Sequence, residues 1–156
     1  MKLAALIAVV ALPLFAAEPP TQHELEIQTQ LKTAHSKRKQ ERAAAKEIYA
    51  KIVADGSASA FARSEAQVWF GHLLRYENKP GQAIEAYSKV LLIPGADPHH
   101  VSEAHVWLGQ IYFTRGDYPA AKREFTVVLT LPAHVVDHIE HAQERLAQIN
   151  KLPGGA

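Results

Sequence analysis

Histidine is the residue type whose spacing in this chain most directly suggests chemistry. His134, His138 and His141 occur at positions i, i+4 and i+7 of a predicted helix, so they share one face. Imidazole nitrogens ligate zinc, and an i, i+4 pair can supply two ligands. His99 and His100 precede a neighbouring predicted helix, and His100 aligns with His138 when the sequence is shifted by 38 residues.

Two interpretations of these histidines are open. In the first, a metal site is built from His100, His134, His138 and His141, with Asp97 and Asp137 as further ligands. The second, which we favour, is an exposed and partly titrating surface, because the chain has no cysteine and no His-Glu-x-x-His motif. We therefore expect no cofactor and no dedicated metal site.

Motifs for catalysis are missing from the sequence. It contains no Gly-x-Ser-x-Gly nucleophile elbow, no P-loop lysine motif and no cysteine nucleophile. Acidic residues such as Glu124, beside Arg123, are typical of a helix surface. The sequence therefore predicts a protein without enzymatic activity.

The first 17 residues have the layout of a secretory signal peptide. Lys2 precedes an apolar run from residue 3 to residue 15, which Ala16 and Ala17 follow. The run is shorter than the roughly 20 residues of a transmembrane helix. We expect export to a bacterial periplasm or another extracytoplasmic compartment, which suits a chain without cysteine. The alternative is an uncleaved segment that anchors the protein to the membrane.

The charge of the remaining chain is balanced. Without Lys2, 16 of the 17 basic residues remain against 16 acidic ones, so the net charge is zero with histidine neutral. Nucleic-acid binding favours a clustered basic surface, so nucleic acid is not an expected partner. We interpret one basic run as a solvated helix face: Lys37, Arg38, Lys39, Arg42 and Lys46.

A shift of 38 residues aligns the sequence with itself. Residues 64–94 and 102–132 are identical at ten of 31 positions without a gap, which is typical of a helical solenoid. The first helix of each unit is expected at 64–77 and 102–115, and Pro94 and Pro132 are expected to end the second. The predicted fold class is therefore all-α.

Small and aromatic residues predict how the two helices of a unit pack. Gly71 and Gly109 lack a side chain where we expect the second helix to approach closely. Tyr87 and Phe125, in the second helices, are expected to fill the space between one unit and the next.

Weaker similarity extends to both sides of the two repeats. Residues 18–55 are expected to be helical, since positions 21–54 contain no glycine or proline, either as one long helix or as a degenerate repeat. Residues 134–150 are expected to form a capping helix, because the end of a solenoid needs its apolar face covered. We expect residues 151–156 to be a disordered tail.

The string WLGQIYFTRGDYPAAKREF, at 107–125, resembles the tetratricopeptide repeat. The matching residues are Leu108, Gly109, Tyr112, Gly116, Tyr118, Ala121, Phe125 and Pro132. The earlier unit matches at Phe70, Gly71, Leu74, Ala83, Tyr87 and Pro94, with Asn78 and Pro80 in place of the glycine and tyrosine. The Trp-Leu-Gly order and the 38-residue period are most similar to repeats of exported bacterial cell-envelope proteins.

This resemblance implies a helical-hairpin solenoid whose first helices line a concave, peptide-binding groove. The expected contacts form the first-helix stripe, which consists of Glu65, Trp69, His72, Tyr76, Glu103, Trp107, Gln110 and Thr114. Tryptophan is enriched at binding hot spots, although both tryptophans could equally pack between neighbouring helices.

The sequence as a whole predicts a non-catalytic scaffold that binds a protein or peptide in the periplasm or cell envelope. The alternatives are a histidine-based metal-binding protein and a self-assembling solenoid that forms a homo-oligomer.

Overall fold

The computed structural model describes residues 19–131 and 136–152, which are helical without any strand. This confirms the all-α prediction. The helices of these ranges are α1 (Gln22–Lys37), α2 (Arg42–Ala54), α3 (Ala60–Tyr76), α4 (Pro80–Val90), α5 (Pro98–Thr114), α6 (Tyr118–Val128) and α7 (Val136–Ile149). The expected signal peptide, His134 and the last four residues lie outside the described residues.

The N-terminal segment forms two helices rather than one. The backbone amides of Gln40 and Glu41 both donate to the carbonyl of Lys37, at 3.2 and 2.7 Å, and this turn separates α1 from α2. The two helices then pack against each other, as α3 does with α4 and α5 with α6. The turn forms without glycine or proline, which explains why the sequence left both alternatives open.

Two first helices begin about one turn earlier than the repeat alignment predicts. The Ser59 hydroxyl accepts from the amide of Ala62 at 3.2 Å, and the Asp97 carboxylate accepts from the amide of His99 at 2.9 Å. Such side chains satisfy amides that lack a partner in the first turn. Pro98 suits the first position of α5, where an amide donor is not needed.

The ends of the helices also depend on local backbone geometry. Asn78 and Gly116 adopt φ values of 57° and 76°, so both tolerate the left-handed conformation expected after a first helix. The second helix of the earlier repeat ends at Val90, before Pro94, because the amides of Leu92 and Ile93 turn back to the carbonyls three residues earlier.

Aromatic side chains fill the space left by the two helix glycines. A Cβ on Gly71 would lie 2.6 Å from the ring of Tyr87, and one on Gly109 would lie 2.8 Å from the ring of Phe125. Each ring therefore packs on the first helix of its own hairpin. Phe125 also shares a core with Ala142 and Ile149 of α7, so it fills the expected space toward the next helix as well. Tyr87 also belongs to the core that α4 forms with α5, so it serves both contacts.

Candidate functional site: the first-helix face

A row of aromatic and histidine rings crosses α1, α3 and α5. The ring centroid of His72 lies 5.0 Å from that of Trp69 and 5.5 Å from that of Trp107. His35 of α1 extends the row, at 5.2 Å from Trp69. The structure therefore brings together three members of the first-helix stripe and adds a histidine that the stripe did not contain.

His72 is an internal member of this row. Its side chain is 5% exposed, its Nδ1 lies 2.7 Å from the hydroxyl of Tyr87, and its Nε2 lies 2.9 Å from the carboxylate of Glu103. A carboxylate only accepts, so in the neutral ring Nε2 donates to Glu103 and Nδ1 accepts from the tyrosine. Both ring nitrogens are thus used inside the protein, and His72 connects α3, α4 and α5 instead of facing a partner.

The environment of Glu103 favours its ionised form. Burial opposes ionisation, but the hydrogen bond and charge of His72, with smaller contributions from His138 and His99, lower the pKa of this carboxyl. Glu103 therefore acts as an internal acceptor that helps to hold two first helices together.

Each tryptophan is covered by an arginine at the C-terminal end of the preceding first helix, where Arg38 directly follows α1 and Arg75 lies in the last turn of α3. The guanidinium carbon of Arg38 lies 4.3 Å from the ring centroid of Trp69, and that of Arg75 lies 3.9 Å from Trp107. Cations at this distance are attracted to the face of an aromatic ring. Both tryptophans also pack against the core and stay only partly buried. Each one thus packs between helices and also keeps some exposed surface.

The other members of the stripe differ in exposure. Tyr76 is 54% exposed, and Thr114 is also exposed at the end of α5. Gln110 donates to the Thr114 hydroxyl at 3.3 Å. Glu65 is half-buried, and its carboxylate lies 3.6 Å from Nε2 of His35. Exposed aromatic surface of the stripe is therefore found near Trp69 and Tyr76.

A basic pocket with aromatic walls opens at that point. It has a volume of about 280 Å³, and its lining consists of Arg38, Lys39, Arg42, Trp69 and Tyr76. None of the residues in this lining is acidic. Arg38 thus stacks on a tryptophan, although the sequence suggested only a solvated basic face.

Two of the candidate metal ligands make the same bond in successive helix contacts. His100 Nδ1 lies 2.9 Å from the Ser64 hydroxyl, and His138 Nδ1 lies 3.1 Å from the Ser102 hydroxyl. Burial lowers the pKa of both histidines, so both are neutral near pH 7. This repeated bond gives His100 and His138 a structural role between first helices.

The remaining histidines do not complete a metal centre in the described ranges. His99 stacks on His138 with ring centroids 4.9 Å apart, and His141 lies 6.0 Å from the ring of Phe125. Within residues 19–131 and 136–152, no three histidine, aspartate or glutamate side chains are arranged to hold a metal ion.

Sequence analysis missed the contribution of α1 to this face. His35 and Arg38 repeat the spacing of His72 and Arg75, but they precede them by 37 residues instead of 38. The ungapped alignment could not detect this match. A search for the His-x-x-Arg pattern with one residue of tolerance would have found it.

Comparison of the chain with family models, curated proteins and solved structures gives no match. Among the described helices, none combines the length and the apolar character needed to cross a membrane.

Proposed function

We propose that this protein is a tetratricopeptide-type solenoid that binds a protein or peptide on the face formed by its first helices. In this proposal it acts as a non-catalytic scaffold. The signal-peptide-like N-terminus suggests that it works in the periplasm or cell envelope. The fold alone does not name the partner, because similar solenoids serve many partners.

The pattern of helix contacts supports an inner surface made of first helices. Contacts join α1 to α3, α3 to α5, and α5 to α7, whereas α2, α4 and α6 do not contact one another. When the first helices contact one another and the second helices stay apart, the array is expected to curve so that the first helices line its concave side. We infer that the first-helix stripe lies on the concave side, where a curved array can hold an extended ligand.

The observation that carries the proposal is the basic, aromatic-walled pocket beside Trp69. Three cationic side chains line this pocket, and one of them, Arg38, stacks on Trp69. Tyr76 adds an exposed aromatic side chain. Tryptophan, tyrosine and arginine are the residues most enriched at binding hot spots. The charge of this pocket suits a segment of the partner that carries an acidic group.

Affinity capture from the native envelope fraction tests this function. The bait is the tagged protein, compared with an Arg38→Ala/Tyr76→Ala variant that alters the pocket. We avoid the tryptophans as the first targets because both pack against the core. The expected result is a partner that the wild type retains and the pocket variant loses.

The matched control truncates the same number of side chains in a second helix. Lys122→Ala/Arg123→Ala alters two exposed positions of α6. This variant should retain the partner as the wild type does. If the pocket variant captured every partner as well as the wild type, while circular dichroism showed both variants folded, the proposed binding face would be wrong.

A further inference from the structure

The α1–α3 and α3–α5 contacts contain the same types of polar residue, but these residues form different hydrogen bonds. Between α3 and α5, His72 joins a tyrosine hydroxyl to a carboxylate through two short hydrogen bonds. The corresponding residues between α1 and α3 are Tyr49, His35 and Glu65. Here the Tyr49 hydroxyl is buried without a hydrogen-bond partner among the described residues, and His35 Nε2 stays 3.6 Å from Glu65.

The side chain of Glu65 consequently lines a pocket, whereas the corresponding Glu103 is hydrogen-bonded to His72. The pocket lies between α1 and α3 and has a volume of about 390 Å³. Its lining is apolar at Ile27, Leu31, Ala58, Phe61 and Ala62. His35 and Glu65 form its polar end.

The charges around the pocket favour a cationic ligand. Burial lowers the pKa of His35, and the nearby Arg38 lowers it further, so the ring is neutral at pH 7 and gives Glu65 no balancing charge. Burial also raises the pKa of Glu65, because its carboxylate loses water without gaining a hydrogen bond. Glu24 and Lys32 also line the pocket, and their formal charges sum to zero. A cationic donor is the group that would satisfy Glu65.

We propose that this pocket binds a primary alkylammonium group, which donates to the Glu65 carboxylate while its carbon stem packs on Ile27, Leu31 and Ala62. Such a group is charged at pH 7, since the pKa of a lysine ammonium is about 10.4. The lysine side chain of a polypeptide and a free alkylamine share this chemistry. The inference does not depend on the basic pocket beside Trp69, which would take the opposite charge.

Titration of the full-length protein with n-hexylammonium, followed by ¹H–¹⁵N NMR, tests the proposal. We expect saturable shifts of the amides of Ile27, Leu31 and Ala62. Neutral n-hexanol, which has the same stem, can still donate a hydrogen bond to Glu65 but carries no positive charge, so it should bind at least about tenfold more weakly, because the attraction between opposite charges is lost. Glu65→Gln should weaken n-hexylammonium binding by at least about tenfold, because the amide oxygen can still accept a hydrogen bond but the negative charge that attracts the ammonium is gone.

Glu85→Gln is the matched control, since it removes one exposed carboxylate from α4, away from the pocket. Absence of saturable shifts, equal binding of n-hexanol, or unchanged affinity in a folded Glu65→Gln variant would each overturn the proposal. Two further ligands separate the sources. Tighter binding of Nα-acetyl-lysine methylamide supports a lysine side chain of a polypeptide, and tighter binding of cadaverine supports a free diamine.

Discussion

At the scale of single residues, Gly109 carries a contact that no other residue type can make without a shift. The ring of Phe125 occupies the place of a side chain, because a Cβ at this position would lie 2.8 Å from it. Phe125 is fully buried, so its ring has little room to move. The same arrangement joins Gly71 to Tyr87, which explains why both repeats keep a glycine inside a helix.

We expect Gly109→Leu to lower the free energy of unfolding by on the order of 1–3 kcal/mol, because extra atoms in a packed core force strained side chains and backbone shifts. Thermal melting followed by far-ultraviolet circular dichroism measures the change. Gly56→Ala is the control, since a Cβ at Gly56 meets no atom within 4 Å. An unchanged melting midpoint in the Gly109 variant would contradict the packing described.

At the scale of helices, the repeat pattern predicted the positions of helices better than the spacing of individual polar residues predicted the candidate site. The 38-residue period predicted the first and second helices of both clear repeats, because buried positions recur with the helical period. It missed the true starts of α3 and α5, since Ser59 and Asp97 cap those helices from outside the aligned blocks.

The first-helix stripe shows why the candidate site was predicted only in part. Periodicity assigns His72 and Tyr76 to one face of α3, but it does not say which neighbour that face meets. Glu103 and Tyr87 cover His72, whereas Tyr76 remains exposed. That difference depends on the distance between helices, which a single sequence does not contain.

Helix α7 provides a test at this scale. Ile149 is fully buried in a core that includes Phe125 and Val128 of α6. Ile149→Ala should therefore destabilise α7 by about 2–5 kcal/mol, the usual cost of removing a buried aliphatic side chain. In hydrogen-exchange measurements on this variant, the α7 amides should exchange faster than the α3 amides, because among the described helices α7 contacts only α5 and α6 and can open without the others.

The matched control for this prediction is Gln143→Ala, which changes an exposed position of the same helix. It should leave the exchange of α7 close to that of the wild type. If Ile149→Ala accelerated exchange equally in α3 and α7, the helices would unfold as one unit, and the independent opening of α7 would be ruled out.

At the scale of the whole molecule, fully and partly buried histidines link the stability of the fold to pH. Burial lowers the pKa of four of them from the usual 6.5, namely His35, His100, His138 and His141. Below about pH 6.5 the unfolded chain therefore binds more protons than the folded chain, so the free energy of unfolding falls as the pH falls. Carboxyls with lowered pKa, such as Glu103, add to this loss only at lower pH.

We expect urea denaturation midpoints to decrease from pH 7.5 to pH 5.5, and a His100→Asn/His138→Asn variant to show a shallower decrease. Asparagine can keep a hydrogen bond to the serine hydroxyl that each histidine contacts, but it does not titrate. Gln82→Asn is the control, because Gln82 is an exposed residue of α4 that does not titrate, so its loss should leave the slope close to that of the wild type. Equal slopes in the wild type and the double variant would mean that the bonds to Ser64 and Ser102 do not couple folding to proton binding, and that the loss of stability in acid arises elsewhere.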